Sequence, residues 1–245
     1  MSTKQSASTT IDPAIEATGL SKSYRGVAAI NCVSFVLPAG SRTALLGANG
    51  AGKSTLLALL STLIVPTQGS ARVAGEDLTV AGPNLRRSIG VMGHQPMLYE
   101  ELTPAENLRF FARLYNLEDG EARTTELLHA IGLWHRRDEP TAVLSRGMHQ
   151  RLALARAVQH HPPILLLDEP ETGLDTEGVK LLERLALTAP RTTVLAATHR
   201  HEHVEGWATG RLVLDRGRVV ENSIEQQPAV APTVDNTTLI TRPSQ

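Results

Sequence analysis

Apolar positions change their rhythm along the chain. Alternation, or short apolar runs bounded by Gly and Pro, marks AIEATGLSKSY, INCVSFVL and SARVAGEDL, and predicts antiparallel strands at one side of the molecule. TALLG, PILLLDEP and TTVLAAT are instead continuous apolar runs ending in turn or polar residues, the pattern of strands covered on both faces of a parallel sheet. RLVLDRGRVV reads as a hairpin turning at Asp215 to Gly217. From about Gln95 to His161 the spacing becomes helical. Thr103, Pro104 and Glu106 provide an N-cap, a first-position proline and a capping-box glutamate ahead of NLRFFARLYNL. A second helix over GEARTTELLHAIGLW ends near Gly132, and a third, opening in LSRGMHQRLALARAV, stops before Pro162 and Pro163. The prediction is an α/β core with a parallel central sheet, an antiparallel β side and a helical subdomain inserted at about 95–161. No internal repeat is present.

The 245 residues suffice for one large α/β domain or two small ones. With 41% hydrophobic residues, 20% charged residues and a formal charge of -1, the chain gives no reason to expect nucleic acid as a partner. Cys32, the single cysteine, excludes an internal disulfide framework, fits a reducing compartment, and reads as a buried apolar strand residue. MSTKQSASTT lacks the apolar stretch of a secretory leader. The longest apolar run, LLALLSTLIV, falls short of the roughly 18 to 20 residues that cross a bilayer. Any membrane role is therefore expected to pass through a partner. Residues 1–13 and the tail 221–245 are expected to be poorly ordered.

GANGAGKST, spanning Gly47, Ala48, Asn49, Gly50, Ala51, Gly52, Lys53, Ser54 and Thr55, fits G-x-x-x-x-G-K-[ST] between a strand and the apolar helix LLALLSTLIV. Glycines there let backbone N–H groups turn toward phosphate oxygens, and the helix N-terminus adds partial positive charge. Lys53 supplies a point charge to the terminal phosphates and the Ser54 hydroxyl a ligand for Mg2+. Asp168 and Glu169 follow the run ILLL at the end of a buried strand, where open α/β sheets present their ligands. Asp168 is the second candidate for Mg2+, through water, and Glu169 the candidate to orient the water attacking a γ-phosphate. A solvated loop with two carboxylates is the competing reading.

These residues, with LSRGMHQRLALARA and the histidine after TTVLAAT, resemble the ATP-binding subunits of ABC transporters, over about Ile15 to Val220 and with the motifs in the family's order. The resemblance implies one ATP-binding domain over 14–220. It also implies ATP and Mg2+ as cofactors and a head-to-tail homodimer, or a pairing with another ABC ATPase, that holds two ATP molecules. An integral membrane permease as partner and a location on the cytoplasmic face of the cell membrane follow from it too. Ser145 and Gly147 match the family's LSGGQ signature and are expected to reach the partner's γ-phosphate; Arg146 and Met148 depart from it. Arg146 is a cation at a helix start, tolerable if nucleotide approaches, or else turned to solvent or a carboxylate. Met148 is expected to pack against a neighbouring subunit or the membrane partner.

Carried over residue by residue, Tyr24 resembles the aromatic that stacks on adenine, with a core role as the competing reading. Gln95 resembles the glutamine that senses Mg2+ and the attacking water. Asp175 resembles the aspartate that communicates across the dimer, or is simply a helix cap. His199 resembles the histidine that contacts γ-phosphate. A metal site at His199, His201 and His203 is the lesser reading, because a helix would align only two of them. His160 and His161 read as an exposed helix end.

The resemblance implies Mg2+-dependent ATP hydrolysis that drives a membrane partner, with the helical subdomain near Gln95 to Leu117 as docking surface. GHQPMLYEELTPAENLRFFARLYNL and LSRGMHQRLALARA look most like the ATP-binding subunit of the haem exporter family of cytochrome c maturation, so haem handling is the expected cargo function. A drug or other small-molecule exporter is the alternative. A soluble ABC ATPase outside transport and a nucleotide-dependent switch with little turnover are the others.

Overall fold

The computed structural model describes residues 13–80, 82–199, 204 and 206–224. In chain order the elements are β1 (Pro13–Tyr24), β2 (Val27–Pro38), β3 (Arg42–Leu46), α1 (Lys53–Leu60), β4 (Gln68–Val73), β5 (Glu76–Asp77), α2 (Pro83–Arg87) and β6 (Ile89–Met92). They continue with α3 (Pro104–Leu114), α4 (Gly120–Ala130), α5 (Arg146–Val158), β7 (Ile164–Asp168), α6 (Thr176–Leu182), β8 (Thr193–Ala197), β9 (Gly210–Asp215) and β10 (Arg218–Asn222). One sheet is antiparallel, in the order β2-β1-β4-β5; the other runs β10-β9-β3-β8-β7-β6 and is parallel except for its β10 edge.

The continuous apolar runs are explained by two cores, one on each face of the parallel sheet. Leu45, Leu166 and Leu195 join the core shared with α1 and the antiparallel sheet. Their neighbours Leu46, Leu165, Leu167 and Val194 join the core beneath the helices. In β2 only one face is covered, so Val33, Phe35 and Leu37 are buried while the residues between them face outward. Cys32 is on the outward side. It is exposed, at φ 53, with its N–H donated to Ser21 Oγ at 2.9 Å, which corrects the expectation of a buried thiol.

The helical insertion forms as its local signals dictate. Thr103 Oγ1 accepts from the Glu106 N–H, the Glu106 carboxylate accepts from the Thr103 N–H, and α3 buries Leu108, Phe111 and Ala112. Gly132, at φ 73, follows the end of α4. α1 starts within the glycine motif at Lys53 and ends at Leu60, earlier than the apolar run suggests. The sequence reading missed α2, β6 and α6. Pro13 opens β1, and β10 extends through Glu221 to Asn222 by pairing with Val213 and Leu212.

His160 is likewise corrected, although His161 is exposed. The His160 ring stacks on Tyr115 with centroids 3.8 Å apart, its Nε2 donates to the Ile89 carbonyl at 3.2 Å, and burial pushes its pKa down to about 4. The β9–β10 turn reaches back to the glycine motif. Gly217 donates its N–H to the Ala51 carbonyl at 2.9 Å and accepts the Asn31 N–H at 2.8 Å.

Candidate active site

The phosphate loop connects the C-terminal end of β3 to α1. Gly47 lies at φ 145, and a Cβ there would stand 2.3 Å from the Leu214 carbonyl; Gly52 lies at φ 107, where a Cβ would meet the Ala29 carbonyl at 2.6 Å. Glycine is therefore demanded both by conformation and by the strands packed behind the loop. The N–H groups of the first turn of α1 face a cleft of about 460 Å³ lined by Asn49, Gly50, Gly52, Lys53, Ser54 and Thr55, with Ala29, His94, Asp168 and Glu169 opposite. Ala48 and Ala51 shape the turn through an Ala51 N–H to Ala48 carbonyl bond at 3.1 Å.

Lys53 is buried and donates Nζ to the carbonyls of Gly47 at 2.7 Å and Ala48 at 3.1 Å, leaving one of its three donors for an anion. The Asp168 carboxyl is buried at the end of β7. Burial raises its pKa above the usual carboxylate range, against the opposing effects of a Ser54 hydroxyl bond and the nearby His94 and Lys53. A divalent cation would offset that desolvation, and the hard oxygens of Ser54 and Asp168 suit Mg2+.

Glu169 sits just beyond β7 at φ 48, an uncommon conformation for a side-chain-bearing residue, fixed by its N–H bond to the Ala197 carbonyl at 2.8 Å. Its Oε1 lies 3.2 Å from His199 Nδ1, and Thr172 Oγ1 donates to Oε2 at 3.4 Å. Nearby, the buried Glu171 carboxylate accepts from the Thr198 hydroxyl.

The fold thus brings together the loop, Lys53, Ser54, Asp168, Glu169 and His199. Gln95 lines an adjoining apolar cavity of about 220 Å³ that shares Ser54 and Asp168 with the cleft. His94, passed over in the sequence because nothing in GHQP distinguishes it from a loop histidine, lines the cleft itself. Tyr24 does not line the cleft; it is 48% exposed at the end of β1, with Lys22 Nζ 5.2 Å from its ring centroid. His201 and His203 lie outside the described residues. Among the described residues no group of three or more His, Cys, Asp or Glu is arranged to hold a metal.

Ser145, Gly147 and Asp175 stand apart from the cleft lining. Ser145 caps α5, its Oγ accepting the Met148 N–H at 3.3 Å. A Cβ on Gly147 would lie 3.1 Å from the Gly173 carbonyl, so glycine relieves a tight contact within its own chain. Arg146 lies across Gly173, takes part in none of the ion pairs among the described residues, and lines a second cleft with His94, His149 and Glu169. Met148 is half-buried and packs in part on its own chain's helical core. Asp175 caps α6 through the Gly178 N–H at 2.8 Å and pairs with Arg151 at 2.5 Å; these bonds, the Gly178 one first, hold its carboxyl below the usual range.

The sequence pattern of the ABC transporter family matches residues 30–172. The daunorubicin/doxorubicin resistance ATP-binding protein DrrA of Streptomyces peucetius is 39% identical over 84% of this chain and 64% of its own length. The chain thus spans less than two thirds of that relative. The ABC transporter ATP-binding protein NatA of Bacillus subtilis is 34% identical over 79% of this chain and 81% of its own. The dimeric ATP-binding cassette MJ0796, in a post-hydrolysis state with ADP and Pi, superposes with a TM-score of 0.78 at 26% identity, covering 86% of this chain and 98% of its own. No described helix is long and apolar enough to cross a membrane. The chain belongs to the ABC transporter family and has the fold of its ATPase domain.

Proposed function

We propose that the chain binds and hydrolyses ATP as the energy-supplying subunit of an exporter for a drug-like or other small molecule, paired head to tail with a second ABC ATPase and docked on a membrane permease. The observation that carries the ATPase reading is the convergence of Lys53, Ser54, Asp168 and Glu169 on one cleft at the C-terminal end of the parallel sheet. The name of the DrrA relative supports the drug-type cargo. None of the relatives described above is named for haem, so the haem reading gains nothing from them and the drug-type alternative replaces it.

In this reading, the loop N–H groups and Lys53 hold the phosphates, and Glu169 orients a water in line with the γ-phosphorus and takes up its proton. Bond formation from that water accompanies cleavage of the bond to the ADP oxygen. His199, whose Nδ1 side faces Glu169, keeps its Nε2 for a γ-phosphate oxygen. Mg2+, held by Ser54 and Asp168 with Gln95 beside them, would neutralise charge on the phosphate oxygens. Ser145 and the α5 N-terminus serve the partner subunit's nucleotide, and the exposed Tyr99, Phe110 and Leu114 receive the permease.

Co-purification with the native membrane partner, followed by ATPase assays of the unsubstituted chain and Glu169→Gln, tests this. A drug-exporter-like permease with turnover abolished by the substitution is expected. A haem-handling permease would restore the earlier cargo reading, and a soluble partner or unchanged turnover would overturn the transporter mechanism.

A further inference from the structure

β6 is an edge strand, hydrogen-bonded to β7 on one side only, and α5 runs along its open side. An edge strand leaves alternate carbonyls unpaired. Two side chains from α5 and its continuation fill that role. Arg156 Nη2 donates to the Val91 carbonyl at 2.6 Å, and His160 Nε2 donates to the Ile89 carbonyl at 3.2 Å. Four helical residues rise by about 6 Å, and two strand residues by about 6.6 Å. The spacing of Arg156, in the last turn of α5, and His160, two residues past its end, therefore comes close to that of Val91 and Ile89 on the strand. Gly90 and Ala157, the residues between, fix the contact: a Cβ on Gly90 would stand 2.2 Å from the Ala157 carbonyl.

Arg156 is an uncommon choice for this role. It is buried and pairs with no carboxylate among the described residues; its guanidinium lies 5.1 Å from the Phe111 ring centroid, and its Nε has no hydrogen-bond partner. An unpaired buried cation is costly, so simple edge protection would be served more cheaply by a neutral amide. A second contact of the same group accounts for the expense. Nη2 also reaches Met97 Sδ at 3.9 Å, and Met97 lies at φ 53. Arg156 therefore grips both ends of the segment 91–97, which carries His94 into the phosphate cleft and Gln95 into the cavity beside Ser54 and Asp168.

We infer that Arg156 is a positioning residue that locks the signature helix α5 to the strand and loop bearing His94 and Gln95, so that displacement of α5 at its Ser145 end moves both side chains relative to the phosphates. His160 and Gly90 set the register of that lock. The inference rests on the ATPase reading and extends it to how the two halves of the site are linked.

The test compares full-length Arg156→Lys and Arg156→Met with the unsubstituted chain in ATP affinity, kcat and thermal stability. Lysine keeps the charge but reaches one acceptor where arginine reaches two. The expected result is a kcat lowered about tenfold or more in Arg156→Met and partly restored in Arg156→Lys, with ATP affinity within about twofold. Unchanged kcat, or affinity and kcat falling together with stability, would overturn the inference and leave Arg156 a packing residue. Should neither variant fold, amide exchange in the unsubstituted chain with and without Mg-ATP decides: protection of 91–97 and 146–158 is expected to change together, and a change in 146–158 alone refutes the lock. An unsubstituted chain that turns over no ATP removes the ATPase reading and this inference together, whereas refutation of the lock alone leaves the unsubstituted chain's turnover, and with it the ATPase reading, standing.

Discussion

The phosphate cleft and the start of α5 both carry strong motifs, but they differ in how far one chain completes them. Around the cleft, Lys53, Ser54, Asp168, Glu169 and His199 already have hydrogen-bond partners in their own chain. At α5, Ser145 is exposed and its hydroxyl accepts its own helix's Met148 N–H, and Arg146 takes part in no ion pair among the described residues. A motif whose partners are local folds into a finished site; the α5 motif, whose proposed partner lies on another molecule, folds into a surface. The lesson is that equal motif strength does not imply equal completeness in the monomer.

The largest effect should come from the finished half. Glu169→Gln is expected to lower hydrolysis by about 10²- to 10⁴-fold while ATP still binds, as read by steady-state turnover and equilibrium titration. Residual turnover near that of the unsubstituted chain would shift water activation to another group, His94 first, and break the picture of a self-contained cleft.

The buried end of α5 gives the next effect. His160 is held neutral, its pKa falling from 6.5 to about 4, so the folded state refuses a proton that the unfolded chain accepts. Stability contributed by this group is present above pH 6.5 and is lost as the pH falls toward 4, by up to about 3 kcal/mol. Thermal unfolding of His160→Gln should show a shallower acid slope over that window; an unaltered slope would assign the acid sensitivity elsewhere.

Smaller changes separate the two duties of Ser145. Ser145→Ala should cost about 1 kcal/mol in thermal or denaturant unfolding through loss of the cap. Ser145→Asp restores a cap, but its carboxylate would face an incoming triphosphate. Its stability should match that of the unsubstituted chain while ATP-dependent dimerisation, followed by sedimentation, is lost. Dimerisation surviving in Ser145→Asp would remove the proposed role at the partner's nucleotide. The smallest effect is expected for Arg146→Gly, about 0.3 to 1 kcal/mol, read as a change in the salt dependence of dimerisation.

Legibility followed the same division. The phosphate loop, the Thr103 capping box and the strand ends at Asp168 are contiguous signals whose physics acts within a few residues, and each reappears in the fold. β6 escaped because it is only four residues long and Gly90 interrupts its β-branched pair Ile89 and Val91, so it depends on pairing with β7 and on side chains from α5. His94 needed the turn after β6 to aim it into the cleft. Tyr24 was placed by resemblance alone, and it stands exposed at the end of β1, outside the lining of the phosphate cleft, which bears on phosphate and not on adenine. Cys32 was misjudged because a local bulge conformation decides which face it takes, and His160 because its partners Tyr115 and Ile89 are distant in sequence.

The β9–β10 turn gives the molecule an order of completion. Ribosomes release chains from the N-terminus, and domains fold as their parts emerge. The glycine motif is synthesised early, yet its rear support comes from Leu214 and Gly217, near the far end of the described residues. A nascent chain halted before β9 would carry every residue of the motif without the prop that holds Ala51 and Gly47 in place. The rear wall of the motif is thereby among the last of the described residues to be synthesised, long after the motif itself.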